Sequence, residues 1–169
     1  HLGIKRTNPD YYKLLVLDNI LGQSGSLTDR LGKTIREERG LCYSVSSSIT
    51  NDATIEPGTF SASFSATPEN HALALELLIE EIKKIKTSKV TKEELESAKS
   101  YLKGSFIFGF EDNDSLTFQI LLAESYELGY DYISKFPQII DSVTIDDINE
   151  VANKYIHPEV ATIVNVGHG

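Results

Sequence analysis

The sequence predicts an α+β fold: a mixed or antiparallel sheet with helices packed on one face. Two observations lead there. Residues 41–50 and 58–66 alternate between apolar and small polar side chains, with Leu41, Tyr43, Val45 and Ile49 interleaved with serines, and Phe60, Ala62, Phe64 and Ala66 interleaved likewise. That is the period-two signature of half-buried strands. The stretches before and after them repeat apolar residues at helical spacing. Consecutive strands flanked by blocks of helix indicate α+β and not an alternating α/β arrangement.

Taken in order, residues 1–4 read as the end of a strand. Asn8-Pro9 reads as a helix opening, with an Asn cap and Pro in the first helical position. The helix predicted over 10–21 is apolar on most sides, which marks a buried element. Gly22 ends it, and residues 22–26 form a loop. Leu27, Leu31 and Ile35 recur at helical spacing to about Arg39, where Gly40 supplies a C-terminal cap. The strand pair follows, joined antiparallel by the loop over 51–57. One of its faces is mainly apolar. The other carries Ser44, Ser46, Ser48, Ser61, Ser63 and Ser65 and is expected to be the more open.

Thr67-Pro68-Glu69 opens a helix marked by Leu75, Leu78, Ile79, Ile82 and Ile85. Thr91, with Glu94 three residues on, reads as a capping box for a helix carrying Leu95, Ala98, Leu102 and Phe106. Further helices are predicted over 115–128 and 133–140. Thr144 opens the last helix, which His157-Pro158 ends, and 161–166 reads as a terminal apolar strand.

The chain has 169 residues, 40% hydrophobic and 24% charged, which fits one globular domain with a sizeable core. A net charge of −9 argues against bulk-charge binding of nucleic acid or anionic membrane. No apolar run approaches the roughly 20 residues needed to cross a bilayer. The chain opens on His1-Leu2-Gly3-Ile4 and contains no Met, so it reads as a piece whose true start lies elsewhere. Cys42 is the only cysteine; it permits no internal disulfide and fits a reducing compartment such as the cytoplasm.

Metal and nucleophile chemistry find little support. A catalytic zinc needs about three protein ligands, usually with two histidines on one helix face. His1, His71, His157 and His168 are far apart in sequence, and no metal is expected in this chain. Cys42 has no neighbouring histidine to act as its base and reads as a strand cysteine. Glu80-Glu81, Glu93-Glu94 and Asp146-Asp147 fall on exposed faces or first turns, where carboxylates favour the helix dipole. Gly22-Gln23-Ser24-Gly25 lacks the features of a phosphate loop and follows a helix, unlike a nucleophile elbow.

One segment stands out as a unit: Leu21-Gly22, Leu27, Arg30-Leu31, then Ile35-Arg36-Glu37-Glu38-Arg39-Gly40-Leu41-Cys42-Tyr43. It resembles the C-terminal, zinc-free domain of pitrilysin/insulinase-type zinc metallopeptidases, a group that includes the mitochondrial processing peptidases. There, too, a helix ends in Arg-Glu-x-x-Gly-Leu and a Tyr begins a strand. Thr67-Pro68-Glu69-Asn70, Val90-Thr91, Val143-Thr144 and the ending Tyr155-Ile156 to Val164-x-Val166-Gly167 extend the likeness over essentially the whole chain. Two departures stand against it. Asp29 precedes Arg30-Leu31 where the family commonly has Ser, and the family domain begins with strands that would precede His1.

The resemblance implies a metallopeptidase half-domain over 1–169, a fragment without its N-terminal strands. It implies a non-catalytic half that completes the substrate chamber of a zinc-dependent metalloendopeptidase and is inactive alone. Zinc would sit in a homologous partner domain, on the same chain or a separate subunit, and a peptide would be the substrate. Arg36 and Tyr43 match the family's substrate-contacting pair, with Glu37 and Arg39 structural. The fixed donors of Arg suit a substrate carbonyl or carboxylate. A Tyr hydroxyl suits the oxyanion formed when zinc-bound water attacks. Residue by residue, other roles remain open. Arg36 also fits an ion pair at a helix end, and period two places Tyr43 with Leu41 and Val45 on the core face. The alternative function is a structural core or assembly subunit of the same fold without peptidase activity.

Overall fold

A computed structural model describes residues 1–23 and 28–167. Its elements are α1 (Tyr11–Leu21), a π-helical turn (Gly32–Glu37), β1 (Ser44–Ser48), β2 (Ser61–Ser65), α2 (Pro68–Thr87), α3 (Lys92–Phe108), α4 (Asn113–Ser125), α5 (Tyr132–Ser142) and α6 (Ile145–Tyr155), followed by a 3₁₀ turn (Pro158–Val160). The predicted start of the second helix at Leu27, most of the predicted loop over 22–26, and His168 lie outside the described residues.

The α1 helix is the centre of the molecule. It packs against α3, α5, α6 and β1 and buries Leu14, Val16, Leu17, Ile20 and Leu21, as a helix apolar on most sides must. It starts at Tyr11 with Asp10 in the cap position, two residues beyond the predicted Asn8-Pro9 opening; Asn8 Oδ1 accepts from the Asp10 N–H at 2.8 Å in the turn before it. The opposite end is tied to the sheet through Asp18, which is fully buried. Asp18 Oδ2 accepts from Ser48 Oγ at 2.8 Å, Thr50 Oγ1 at 2.6 Å and the Thr50 N–H at 2.9 Å. The Ile49 N–H adds a further bond at 3.0 Å. A single carboxylate therefore holds the chain where it leaves β1.

The predicted Thr91–Glu94 capping box appears as a full reciprocal one, and Thr144, expected only to open the last helix, forms a second with Asp147. Glu94 also receives Arg30 through Nε at 2.6 Å and Nη2 at 3.1 Å, a two-pronged pair that staples the segment before the π-helical turn to α3. The Asp29 departure from the family pattern has a local reason. Its Oδ1 accepts from the Gly32 N–H at 2.7 Å, an N-capping bond that Asp and Ser make about equally well.

The sheet differs from the predicted one in extent. Strands β1 and β2 pair antiparallel, with Val45 opposite Phe64 and Ser47 opposite Ala62. They cover 44–48 and 61–65, not 41–50 and 58–66. Residues 1–4 extend the ladder, Leu2 bridging Thr59 and the Gly3 N–H reaching Gly58 O at 2.8 Å. Ser44, Ser46, Ser61, Ser63 and Ser65 face solvent as predicted, but Ser48 is buried because Asp18 captures its hydroxyl. The predicted strand over 161–166 is exposed chain without a ladder. A groove of about 460 Å³ runs between it, β2 and α2, and among the described residues no strand pairs with it. Among the described residues no helix is long and apolar enough to cross a membrane.

Candidate functional site

The geometry of Arg36 and Tyr43 begins with the π-helical turn. There the Glu38 N–H reaches back five residues to Lys33 O at 2.9 Å, a geometry that inserts an extra residue per turn and recurs at functional sites. Gly40, at φ 61°, then reverses the chain in the left-handed conformation. The Gly40 N–H bonds Arg36 O and the Leu41 N–H bonds Ile35 O, each at 3.0 Å. This closure returns the chain alongside the turn, so the Arg36 guanidinium carbon lies 5.9 Å from the centre of the Tyr43 ring, within cation–π range.

A Cβ at Gly40 would meet nothing within 4 Å, so the demand there is purely conformational. Gly40→Ala is expected to cost about 1–2 kcal/mol through the left-handed backbone alone, measured as a shift in the denaturation midpoint. An unchanged midpoint would show that the turn tolerates another backbone state.

Tyr43 is not on the core face. The residue is 83% exposed, although Leu41 and Val45 on either side are buried. Period-two reasoning fails here because the strand begins one residue later. Tyr43 sits at a bend before β1, anchored by its N–H to Ser65 O at 2.9 Å, and the bend turns its side chain outward. Arg36 is exposed as well and pairs with no carboxylate among the described residues, so it is not the ion-pairing residue its position allowed. Glu37 and Arg39 are exposed beside it.

The pair adjoins a polar, open sheet surface. Ser44 Oγ bonds Ser65 Oγ at 3.0 Å and Ser46 Oγ bonds Ser63 Oγ at 3.3 Å. The arrangement therefore offers an unpaired guanidinium and a free phenol hydroxyl side by side, the donors suited to a carbonyl, a carboxylate or a developing oxyanion.

Cys42 is buried next to this pair. Burial pushes its thiol above the ordinary value, outweighing the pull of Arg36, so it is a poor nucleophile. His1 and His157, 156 positions apart, meet with ring centres 5.8 Å apart. Their nitrogens are committed, however. His1 Nε2 accepts from the His157 N–H at 3.1 Å, while His157 Nδ1 and Nε2 bond Glu159 and Lys154 O, each at 3.0 Å. Among the described residues no group of three or more His, Cys, Asp or Glu side chains is placed to hold a metal ion.

Comparison with known proteins adds the family context. The matching family model is the peptidase M16 inactive domain, aligned over residues 2–102. Curated relatives include an uncharacterized zinc protease of Mycobacterium leprae, 31% identical over 153 residues, which are 90% of this chain and 34% of that protein. The uncharacterized zinc protease YmxG of Bacillus subtilis is 32% identical over 114 residues, 67% of this chain and 27% of that protein. The chain thus spans about a third of the length of the curated relatives it matches. A solved peptidase M16 inactive domain from Pseudomonas fluorescens is 28% identical, superposes with a TM-score of 0.83, and is matched over 93% of this chain and 37% of that one.

Proposed function

We propose a function from one premise: this chain belongs to the zinc-protease family M16, as its inactive domain. It serves as the non-catalytic half of a zinc-dependent metalloendopeptidase. It completes the substrate chamber opposite a zinc-bearing homologous domain, on the same polypeptide or a partner subunit, and contacts the peptide through Arg36 and Tyr43. The zinc belongs to that other half. The observation that carries this reading is the exposed Arg36–Tyr43 pair, 5.9 Å from guanidinium to ring, beside the serine-lined face of β1 and β2. A purely structural subunit need not keep an 83% exposed tyrosine beside an unpaired arginine.

Reconstitution tests the function. Zinc-bearing half and this chain, mixed or in one polypeptide, are expected to cleave an unstructured peptide library, and each half alone is expected not to. Arg36→Ala should lower kcat/KM of the assembled enzyme while its zinc content and assembly stay unchanged. Full activity of the zinc-bearing half alone would overturn the proposal.

A further inference from the structure

Arg6 is the most unusual cation in the molecule. It is 9% exposed, and its N–H is fixed to Thr54 O at 2.8 Å. Its guanidinium carbon lies 3.8 Å from the Tyr11 ring centre, 5.2 Å from Tyr12, 5.7 Å from Tyr126 and 5.9 Å from Tyr132. Two hydrogen bonds leave it, both from Nη2, to the hydroxyls of Tyr12 and Tyr132 at 3.3 Å each. No carboxylate pairs with it among the described residues. A buried charge normally requires a counter-charge, since desolvation costs several kcal/mol, and four tyrosine rings supply only part of that through their quadrupoles.

Arg6 also lines a cavity of about 260 Å³, partly open to solvent, between α1, α3, α4 and α5. None of the lining side chains is acidic. Leu15, Leu102, Phe106 and Leu122 make the wall largely apolar, and Gln119 and Ser105 add neutral polar groups. The remaining guanidinium donors match the planar, two-oxygen geometry of a carboxylate. One positive charge calls for one negative charge, and the walls call for an apolar body. The volume gives room for roughly ten non-hydrogen atoms.

We propose that this cavity binds a small organic monocarboxylate, its carboxylate on Arg6 and its apolar body among the tyrosine and leucine side chains. The acid is either a free metabolite-sized molecule or the C-terminal residue of a peptide. Titration calorimetry on the full chain with 3-phenylpropionate, its amide, and an N-acetylated tripeptide ending in phenylalanine tests this. The acid is expected to bind about 10- to 100-fold more tightly than the amide, the margin of a charge-assisted hydrogen-bonded pair. Binding of the tripeptide as well would assign the site to peptide C-termini, and its exclusion would assign it to free acids. Arg6→Gln should remove the preference for acid over amide. Should that variant fail to fold, Ser105→Phe, at an exposed position on the cavity wall, is expected to block binding with Arg6 intact. Equal affinity for acid and amide, or undiminished binding in Ser105→Phe, would overturn the proposal.

Discussion

Tyr43→Phe in the assembled peptidase is expected to lower turnover about 100- to 1000-fold, the usual effect of removing one oxyanion donor, while leaving the unfolding midpoint where it was. The separation of the two readouts follows from geometry. Tyr43 is 83% exposed at a bend outside the strand, so its packing contributes little. Even Tyr43→Ala should change stability by no more than about 0.5 kcal/mol, as for exposed positions generally. A buried tyrosine in the same sequence position would lose roughly 3–5 kcal/mol on truncation. Turnover measured with saturating peptide, together with a denaturant titration of each variant, checks both numbers. Unchanged turnover in Tyr43→Phe would remove the Tyr43 hydroxyl from the substrate contacts and leave Arg36 to make them alone.

The sequence was most readable where structure is decided locally. Thr91 with Glu94 forms its box within one helical turn, so spacing alone predicts it; the Thr144–Asp147 box, with Asp in place of Glu, was legible only as a helix opening. The Gly40 cap is likewise a short-range signal. Readability declined where a distant partner decides. The alternation through Tyr43 looked continuous, but the ladder begins only where β2 has a residue to pair, and that limit is absent from the local pattern. Residues 161–166 have strand composition without a strand neighbour, and β propensity is largely a matter of what lies alongside. Arg6 draws its tyrosines from positions up to 126 residues away, a juxtaposition that no periodicity encodes. Asp18 did leave a trace: it is a lone carboxylate in the middle of an apolar helical stretch, where an anion persists only if donors are brought to it.

Those donors make Asp18→Ala the substitution with the largest expected loss of stability, about 3–5 kcal/mol. Removing the carboxylate leaves the Ile49 N–H and the Ser48 and Thr50 hydroxyls without their acceptor, at roughly 1–3 kcal/mol for each buried group left unmade. The Thr50 N–H loses less, because Ser48 Oγ also accepts from it at 3.1 Å. Asp18→Asn should be milder, since its amide oxygen can still accept from Ile49 and the two hydroxyls can turn to accept from its nitrogen. The pH dependence separates charge from hydrogen bonding. Burial raises the Asp18 carboxyl to about 6, against the opposing pull of the Thr50 and Ser48 donors. A folded value above the ordinary 3.8 means that the native state binds the proton more tightly. The associated stability is full below about pH 4 and is lost as pH rises through 6. At about 1.4 kcal/mol per pH unit, the wild type should gain about 2 kcal/mol between pH 7 and pH 4 relative to Asp18→Asn. Denaturant titrations of both proteins across that range provide the check. Parallel curves would mean that the four donors hold Asp18 ionised throughout, so that the clamp on β1 operates as an anion site independent of pH.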